Sequence, residues 1–207
     1  MVYGTTNLGK LSYMRRHLCT LPVELIGLHE LPNLPAIAID ESGCDPLENA
    51  VIKAKAYYAM LHQPVCAADS GLYCEELPYA LQPGVHVRRV GGKSLNDEEM
   101  IAYYASLAER YGTLTARYRN GICLVMDDTH CYPLMNDSLS GHSFGIVAKP
   151  HPLRVPGFPL DSLSISLQTG GYYLDAAQLP ADEIIEQNAY SRFFREALEQ
   201  YEGQVHP

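Results

Sequence analysis

The sequence predicts an α/β domain with a long mixed sheet and flanking helices. In the first half of the chain, short apolar runs typical of strands alternate with helical patterns. In the second half, hairpin-like runs are followed by a closing helical pattern. The 207 residues fit one domain, predicted over 1–207, because no clean linker interrupts them. A two-lobed shape with a cleft between the lobes would give the same pattern.

The N-terminal part of the chain is predicted as strand, helix and strand. The opening MVYGTTNLGKLSYMRRHL reads as a very short strand, a polar turn and a helix with apolar residues at helical spacing. Thr6 or Asn7 is the predicted N-cap, which places Lys10 in the first turn. The run VELIGL is predicted as a strand, and a proline-rich loop follows it up to Ile39.

Two stronger helical patterns enclose a strand. DPLENAVIKAKAYYAMLHQ carries small and aromatic residues along one side, together with Lys53. PVCAADSGLYCEE contains a predicted strand that ends at Asp69. LNDEEMIAYYASLAERY has Asn96 as N-cap and Glu99 at the third helical position, which is a capping-box pattern.

The second half supplies the remaining strands and the closing helix. TARYRNGICLVMDD and LSGHSFGIVAK are predicted as strands of a mixed or antiparallel sheet. The tail ADEIIEQNAYSRFFREALEQYEG is predicted as one helix or two, with Ser191 as a candidate cap of the second.

Composition and charge exclude several classes of protein. A net charge of -9 without a Lys/Arg cluster argues against a nucleic-acid-binding surface, although one anionic ligand in a local pocket remains compatible with it. No apolar run is long enough to span a bilayer and no basic-then-apolar leader opens the chain, so a soluble cytoplasmic protein with no membrane partner is expected. The six cysteines form no CxxC pair or zinc-ligand spacing, which favours reduced thiols over a disulfide framework.

The stretch TTNLGK, residues 5–10, is a candidate anion site. A strand that breaks at a polar turn and enters a helix directs unpaired N–H groups and the positive end of the helix dipole toward that turn. Lys10 adds a positive charge suited to a phosphate. The stretch does not match the P-loop pattern, and an ordinary capped helix with a solvated lysine would contain the same residues.

Two carboxylates are candidate metal ligands. Asp40 and Glu41 lie in a loop ahead of the helix that bears Lys53, and Asp69 lies at a predicted strand end, where ligand crevices form in α/β sheets. Two such carboxylates could hold Mg²⁺, a hard cation that prefers oxygen ligands and keeps several waters. The ion would orient a phosphate chain and help to generate a nucleophilic hydroxide. The alternative is that Asp69 caps a turn through its side chain.

Taken together, these stretches resemble the inosine triphosphate pyrophosphatase family, enzymes that hydrolyse non-standard purine nucleoside triphosphates such as ITP, dITP and XTP. The resemblance covers about the first four-fifths of the chain and is carried, in order, by TTNLGK, ESGCDPLENAVIKAKAYY, PVCAADSGLYCEEL, PGVHVRRVGG, RYRNGICLV, GHSFGIVAK and PGFPLD. It implies an ITPase-like mixed sheet in two lobes around a central cleft, and a homodimer. It also implies Mg²⁺-dependent attack of water on the α-phosphorus, which releases a nucleoside monophosphate and pyrophosphate.

The resemblance further implies roles for individual residues. Glu41 and Asp69 match metal ligands, Asp69 also matches the acid that activates the attacking water, and Lys53 matches a lysine that reaches the triphosphate. The other residues matched to the substrate fall in four places: the phosphate-binding turn, the turn after Asp69, the base-stacking loop with an upstream arginine, and the C-terminal base-recognition motif. They are Thr5, Asn7 and Lys10; Ser70 and Gly71; Arg89, Phe158 and Asp161; and Arg192, for which Arg195 is the alternative.

The sequence departs from the family pattern at several places, among them PGVHVRRV, which lacks the family's Tyr-Ser-Ala but keeps Arg89. Ala68 stands where the family has an acid next to Asp69, which predicts weaker metal binding. The loop GFPLDS has a proline in place of a flexible glycine and lacks an aromatic, which predicts a reshaped base pocket. The C-terminal stretch YSRFFREA lacks the histidine that reads the purine's 6-keto edge, so altered base selectivity is expected.

Two functions are therefore compared. The first is a magnesium-dependent nucleoside triphosphate pyrophosphatase, which the retained acids and lysines favour. The second is a nucleotide-binding sensor or partner protein that has lost hydrolysis, which Ala68 favours. A purely structural protein would leave TTNLGK and Lys53 unexplained.

Overall fold

The computed structural model describes residues 1–32, 34, 39–175 and 189–205. Within these ranges the helices are α1 (Leu8–His17), α2 (Pro46–Leu61), α3 (Asp97–Tyr111) and α4 (Ala189–Val205). The strands are β1 (Val2–Tyr3), β2 (Ile26–Gly27), β3 (Val65–Cys74), β4 (Arg89–Val90), β5 (Lys93–Ser94), β6 (Leu114–Val125), β7 (Cys131–Met135), β8 (Phe144–Ile146) and β9 (Ser164–Ile165). The predicted mixed sheet with flanking helices is confirmed.

The chain forms two compact units. The central cleft that the resemblance implies stays a prediction. The first unit comprises Met1–Ser70, Asn120–Leu139 and Leu179–Pro207, and the second comprises Gly71–Arg119 and Ser140–Gln178. Strands β3 and β6 each pass from one unit into the other along the chain. The prediction of a single domain over 1–207 stays a prediction.

In the first unit, the sheet separates two layers of helix. Its strand order is β2-β1-β3-β6, with β7 beside β6; β1 pairs in parallel with β2 and β3, and β6 pairs antiparallel with β7. Successive residues of β3 point to opposite faces. Val65 and Ala67 pack in one cluster with residues of α2, whereas Cys66 and Ala68 pack in another with residues of α1 and α4.

Helix α2 begins where its sequence dictates. The side chain of Asp45 accepts a hydrogen bond from the Glu48 N–H at 2.9 Å, and Pro46 occupies the first turn, where its missing N–H is not needed. A Cβ atom at Gly121 of β6 would lie 2.5 Å from the backbone nitrogen of Leu47. The absence of a side chain at Gly121 therefore lets the first turn of α2 approach the sheet closely.

The second unit has its own core. Its strand order is β3-β6-β8-β9, with β6–β8 and β8–β9 antiparallel. Helix α3 begins at the predicted capping box of Asn96 and Glu99 and contacts a short 3-10 helix at Pro159–Leu163. Leu72 and Cys74 of β3 pack in this core.

Three boundary predictions are wrong. Strand β3 does not end at Asp69 but continues through Ser70 and Gly71, because Leu72 and Cys74 are buried in the next core. The strand predicted over VELIGL is reduced to Ile26–Gly27, because the chain turns into a 3-10 helix in which the Glu30 carboxylate accepts from the Gly27 N–H. Similarly, the run LSGHSFGIVAK contributes only Phe144–Ile146 as a strand.

The predicted helix cap at Ser191 in the C-terminal tail is also wrong. Ser191 does not cap a helix, since it lies inside α4 and its hydroxyl donates to the backbone carbonyl of His17. The buried face of α4, which includes Phe193 and Phe194, packs in the cluster that holds Leu11 and Met14 of α1. The part of the predicted tail helix over residues 181–188 lies outside the described residues.

Candidate active site

Asp69 is a buried carboxylate with two hydrogen-bond donors. The twofold alternation of β3 places it on the same face as Val65 and Ala67, which is the face toward α2. Lys53 Nζ donates to its Oδ1 at 2.8 Å, and Asn49 Nδ2 donates to its Oδ2 at 3.2 Å. Because burial of an unpaired carboxylate is costly, these donors explain how a charge is held inside the unit.

Helix α2 supplies both donors. Asn49 and Lys53 are four residues apart, so they lie on one face of the helix. The side chains of Lys53 and Asp69 are only 10% and 11% exposed, which makes this a buried ion pair. Lys53 Nζ also lies 3.8 Å from Glu41 Oε1, and the Glu41 side chain is 39% exposed. Lys53 therefore stands between a buried acid and a more open one.

The loop that carries Glu41 is fixed to the start of α2. The Gly43 N–H donates to Asn49 Oδ1 at 2.9 Å, and the Cys44 N–H donates to Glu48 Oε2 at 2.7 Å. A Cβ atom at Gly43 would meet Asn49 Oδ1 at 2.6 Å. Glycine is thus required for the loop to approach the helix this closely.

Helix α1 brings a second lysine. Asn7 is its N-cap, and its Oδ1 accepts from the N–H groups of Gly9 and Lys10 at 2.8 and 3.2 Å. Thr5 Oγ1 accepts from the Asn7 N–H at 3.2 Å, which ties the turn together. Burial lowers the pKa of Lys10, the charges of Asp69 and Glu41 oppose that shift, and the charge of Lys53 adds to it.

Four predicted site residues therefore lie together. Lys10 lies close enough to Glu41, Lys53 and Asp69 for their charges to shift its pKa. Lys53 forms ion pairs with both acids. We call these four residues the acid–lysine cluster; all of them belong to the first unit. Two acids and two lysines on one site suit a polyanion that arrives with a divalent cation.

The donor set of the cluster fits magnesium bound together with phosphate. In the described parts of the chain, no group of three or more His, Cys, Asp or Glu side chains is arranged to hold a metal ion. Mg²⁺ is commonly held by one or two carboxylates, with water and substrate phosphates completing its shell. Glu41 and Asp69 supply that number of carboxylates, and each Asp69 oxygen retains a lone pair beyond its present hydrogen bond.

The other predicted site residues are placed as follows. Ser70 is partly exposed in β3, and Arg192 is exposed on α4. Four belong to the second unit: Gly71, Arg89, Phe158 and Asp161. Their predicted contacts with substrate stay predictions.

Gly71 and Asp161 are closely packed within the second unit. A Cβ atom at Gly71 would lie 3.2 Å from the carbonyl carbon and oxygen of Gly84, so the glycine admits a neighbouring loop. Burial raises the pKa of the Asp161 carboxyl. Asp161 lies in the 3-10 helix that begins directly after Phe158. By contrast, Arg89 is exposed in the short β4–β5 hairpin.

Sequence reasoning missed Asn49. Asn49 lies in ESGCDPLENAVIKAKAYY, one of the motifs that carry the family resemblance, but the resemblance implied no role for it. Its signal was present: an amide side chain four residues before Lys53 shares the helix face of that lysine. Asparagine is a weak helix former, so its position inside a long helical pattern favours a specific contact.

Fold and candidate site together define an α/β protein with a cluster of two acids and two lysines in its first unit. The family model described as the Ham1 family matches residues 1–163. A dITP/XTP pyrophosphatase of Geobacter sulfurreducens is 30% identical over 184 residues, which cover 88% of this chain and 86% of that protein. The chain belongs to the Ham1 family. This membership confirms the family resemblance predicted from the motifs.

Another relative and two solved structures are also similar to the chain. A dITP/XTP pyrophosphatase of Geobacillus kaustophilus is 38% identical over 102 residues, and this match spans 49% of the chain and 48% of that protein. A HAM1 protein from Coxiella burnetii has a similar structure, with a TM-score of 0.66, 28% identity, and coverage of 99% of this chain and 96% of that chain. The Staphylococcus aureus Ham1 protein shares the fold, with a TM-score of 0.65 at 22% identity over 98% of each chain.

Proposed function

We propose that this chain hydrolyses nucleoside triphosphates of non-standard purines, such as ITP, dITP and XTP, to the monophosphate and pyrophosphate. The observation that carries the proposal is the convergence of Lys10, Glu41, Lys53 and Asp69. The dITP/XTP pyrophosphatase names of two relatives support the same reaction. Hydrolysis of a triphosphate makes the chain a hydrolase acting on acid anhydrides.

The two lysines bind the phosphate chain in this proposal. Lys10 stands in the first turn of α1, where the helix dipole also favours an anion. Lys53 is held by Asp69 and reaches toward Glu41, so its ammonium can neutralise charge on a phosphate without leaving its partner. Catalysis is then mainly positioning and neutralisation of charge.

The two acids serve the metal and the water. Glu41 and Asp69 would hold Mg²⁺, which supplies Lewis-acid polarisation of the phosphate oxygens when it is bound. Asp69 accepts a proton from the water that attacks the α-phosphorus, and the bond from that phosphorus to the bridging oxygen of pyrophosphate breaks. Lys53 and Asn49 keep the Asp69 carboxylate oriented for this transfer.

The remaining residues are proposed to fix the substrate. Thr5, Asn7, Ser70 and Gly71 line the path of the phosphates in this proposal. At the base, Phe158 stacks, and Asp161, Arg89 and Arg192 contact polar groups. Since YSRFFREA lacks the family's histidine, selectivity among bases is expected to be altered.

The test is pyrophosphate release from a panel of standard and non-standard triphosphates, with and without Mg²⁺. Wild type should yield monophosphate and pyrophosphate only with the metal, and Asp69→Asn should yield neither. Glu109→Gln, which neutralises an exposed acid on α3, is the matched control and should keep wild-type rates. Turnover by Asp69→Asn at the wild-type rate would refute the role of the carboxylate.

A second function is favoured by one observation. Ala68 is an alanine and therefore supplies no carboxylate next to Asp69. It is 9% exposed and packs in the cluster that includes residues of α1 and α4. A nucleotide-binding sensor that does not hydrolyse its ligand would fit this loss. Calorimetric titration with ITP measures binding, and the pyrophosphate assay measures hydrolysis. The two together decide between the functions, because a sensor binds ITP without producing pyrophosphate.

Assembly and location complete the proposal. A homodimer is proposed from the family resemblance. A cytoplasmic location, with no nucleic-acid or membrane partner, is proposed from the composition and charge of the chain. Among the described helices, none is both long and apolar enough to cross a membrane. Light scattering coupled to size-exclusion chromatography would measure a mass near twice 23.0 kDa for a dimer.

A further inference from the structure

Asn49 joins two parts of the candidate site. Only 2% of the residue is exposed. On one side Nδ2 donates to Asp69 Oδ2 at 3.2 Å, and on the other Oδ1 accepts from the Gly43 N–H at 2.9 Å. One amide thus connects the strand that bears the buried acid with the loop that carries Glu41.

The two partners fix which way the amide faces. A carboxylate oxygen can only accept and a backbone N–H can only donate, so the amide nitrogen must face Asp69 and the oxygen must face Gly43. No apolar residue can serve either side, and an aspartate would place a second carboxylate against Asp69. Of the side chains that size, asparagine alone meets both demands.

Two donors fix the plane of the Asp69 carboxylate. Lys53 donates to one oxygen and Asn49 to the other, so rotation of the carboxylate would break a bond to a buried partner. Together with the Cys44–Glu48 hydrogen bond, the same asparagine sets how closely the loop of Gly43, and with it Glu41, approaches α2. The relative position of the two acids therefore depends on Asn49.

We propose that Asn49 is a positioning residue, which orients Asp69 and Glu41 toward one shared ligand, a divalent cation with its phosphate chain. This inference rests on the proposed hydrolysis and adds to it a residue that touches neither water nor phosphate. Partners of metal-ligating side chains typically contribute about 10- to 100-fold to metal affinity or activity.

The contact can be tested from both of its sides. Asn49→Leu removes both hydrogen bonds at similar volume. Gly43→Ala leaves the Asn49 side chain in place and acts from the loop side, because the new Cβ would meet Asn49 Oδ1 at 2.6 Å. Asn49→Gln keeps both functional groups on a longer stem and is the rescue variant. Asn120→Leu is the matched control, since Asn120 also uses its side-chain amide within the same unit and donates to the carbonyl of Leu139.

Kinetics with ITP over a range of MgCl₂ concentrations provide the first measurement. Asn49→Leu should lower kcat by about 10- to 100-fold and raise the half-saturating Mg²⁺ concentration about 10-fold. The KM for ITP should change little, because both lysines remain. Asn49→Gln should recover part of kcat, and Asn120→Leu should keep the wild-type kcat and Mg²⁺ requirement.

Hydrogen–deuterium exchange of residues 41–45 provides the second measurement, which needs no turnover. Exchange there should rise in Asn49→Leu and Gly43→Ala but not in Asn120→Leu. A wild-type protein that hydrolyses no triphosphate would defeat the proposed function, and the exchange data would still decide the role of Asn49. Unchanged exchange in Asn49→Leu, or an unchanged kcat where Asp69→Asn is inactive, would overturn the positioning role.

Discussion

The Lys53–Asp69 ion pair gives a prediction with a calculable size. Lys53→Met removes the ammonium 2.8 Å from Asp69 Oδ1 and leaves a carboxylate of 11% exposure without its charged partner. Breaking a buried pair in this way typically costs about 3–5 kcal/mol. Asn49 still donates to the other oxygen and Lys10 lies close by, so we expect the lower end, about 3 kcal/mol. For a chain of this length, that loss corresponds to a fall in Tm of about 6–12 °C.

Urea denaturation of a double-mutant cycle is the assay. Lys53→Met/Asp69→Asn carries no unpaired charge, so it should be more stable than Lys53→Met alone by about 1–3 kcal/mol. Lys55→Met is the control on the same helix; Lys55 is exposed, and its replacement should change the free energy of unfolding by less than about 0.5 kcal/mol. If the double variant is no more stable than Lys53→Met, the loss of stability does not come from the isolated carboxylate, and the expected cost of breaking the pair is wrong.

Three further predictions follow from single features of the fold. Burial lowers the pKa of Lys10 in the folded protein. Between the folded and unfolded pKa values the unfolded chain therefore binds more protons than the folded one, so the free energy of unfolding rises with pH. Urea titrations between about pH 8 and pH 10 should show a smaller rise for Lys10→Met than for wild type. Gly121→Ala places a Cβ atom 2.5 Å from the Leu47 nitrogen and should cost about 1–3 kcal/mol in unfolding free energy while lowering kcat, and wild-type stability of this variant would contradict the close approach of α2. Burial raises the pKa of the Cys66 thiol to about 12, so iodoacetamide at pH 8 should label exposed Cys44 and leave Cys66 intact in the native protein, as mass spectrometry of peptides can determine.

Local signals in the sequence predicted the parts of the fold that depend on neighbouring residues. Asn7 caps α1 through its own side chain, and Asn96 and Glu99 form the capping box of α3, because such contacts span only two or three residues. The acid–lysine cluster was predicted only from motifs whose order and separations resemble a known family. No local rule brings Lys10, Glu41 and Asp69 together from three separate elements.

Strand length was the feature that sequence predicted least well. The polar Asp69-Ser70-Gly71 step looked like an end to β3, yet a carboxylate can lie inside a strand when buried donors meet it. Those donors come from α2, 16 and 20 residues earlier in the chain. Asn49 was overlooked for the same reason, since its importance appears only once the Gly43 loop and β3 are placed on either side of it.

The discontinuous makeup of the first unit has a consequence for biosynthesis. Its core cluster joins Leu11 and Met14, near the start of the chain, to Phe193 and Phe194, near its end. A nascent polypeptide consequently lacks part of the cover over the apolar side of α1 until the residues of α4 have been translated. Premature termination before position 189 would deprive that surface of its aromatic cover, and such products should be prone to aggregation and degradation.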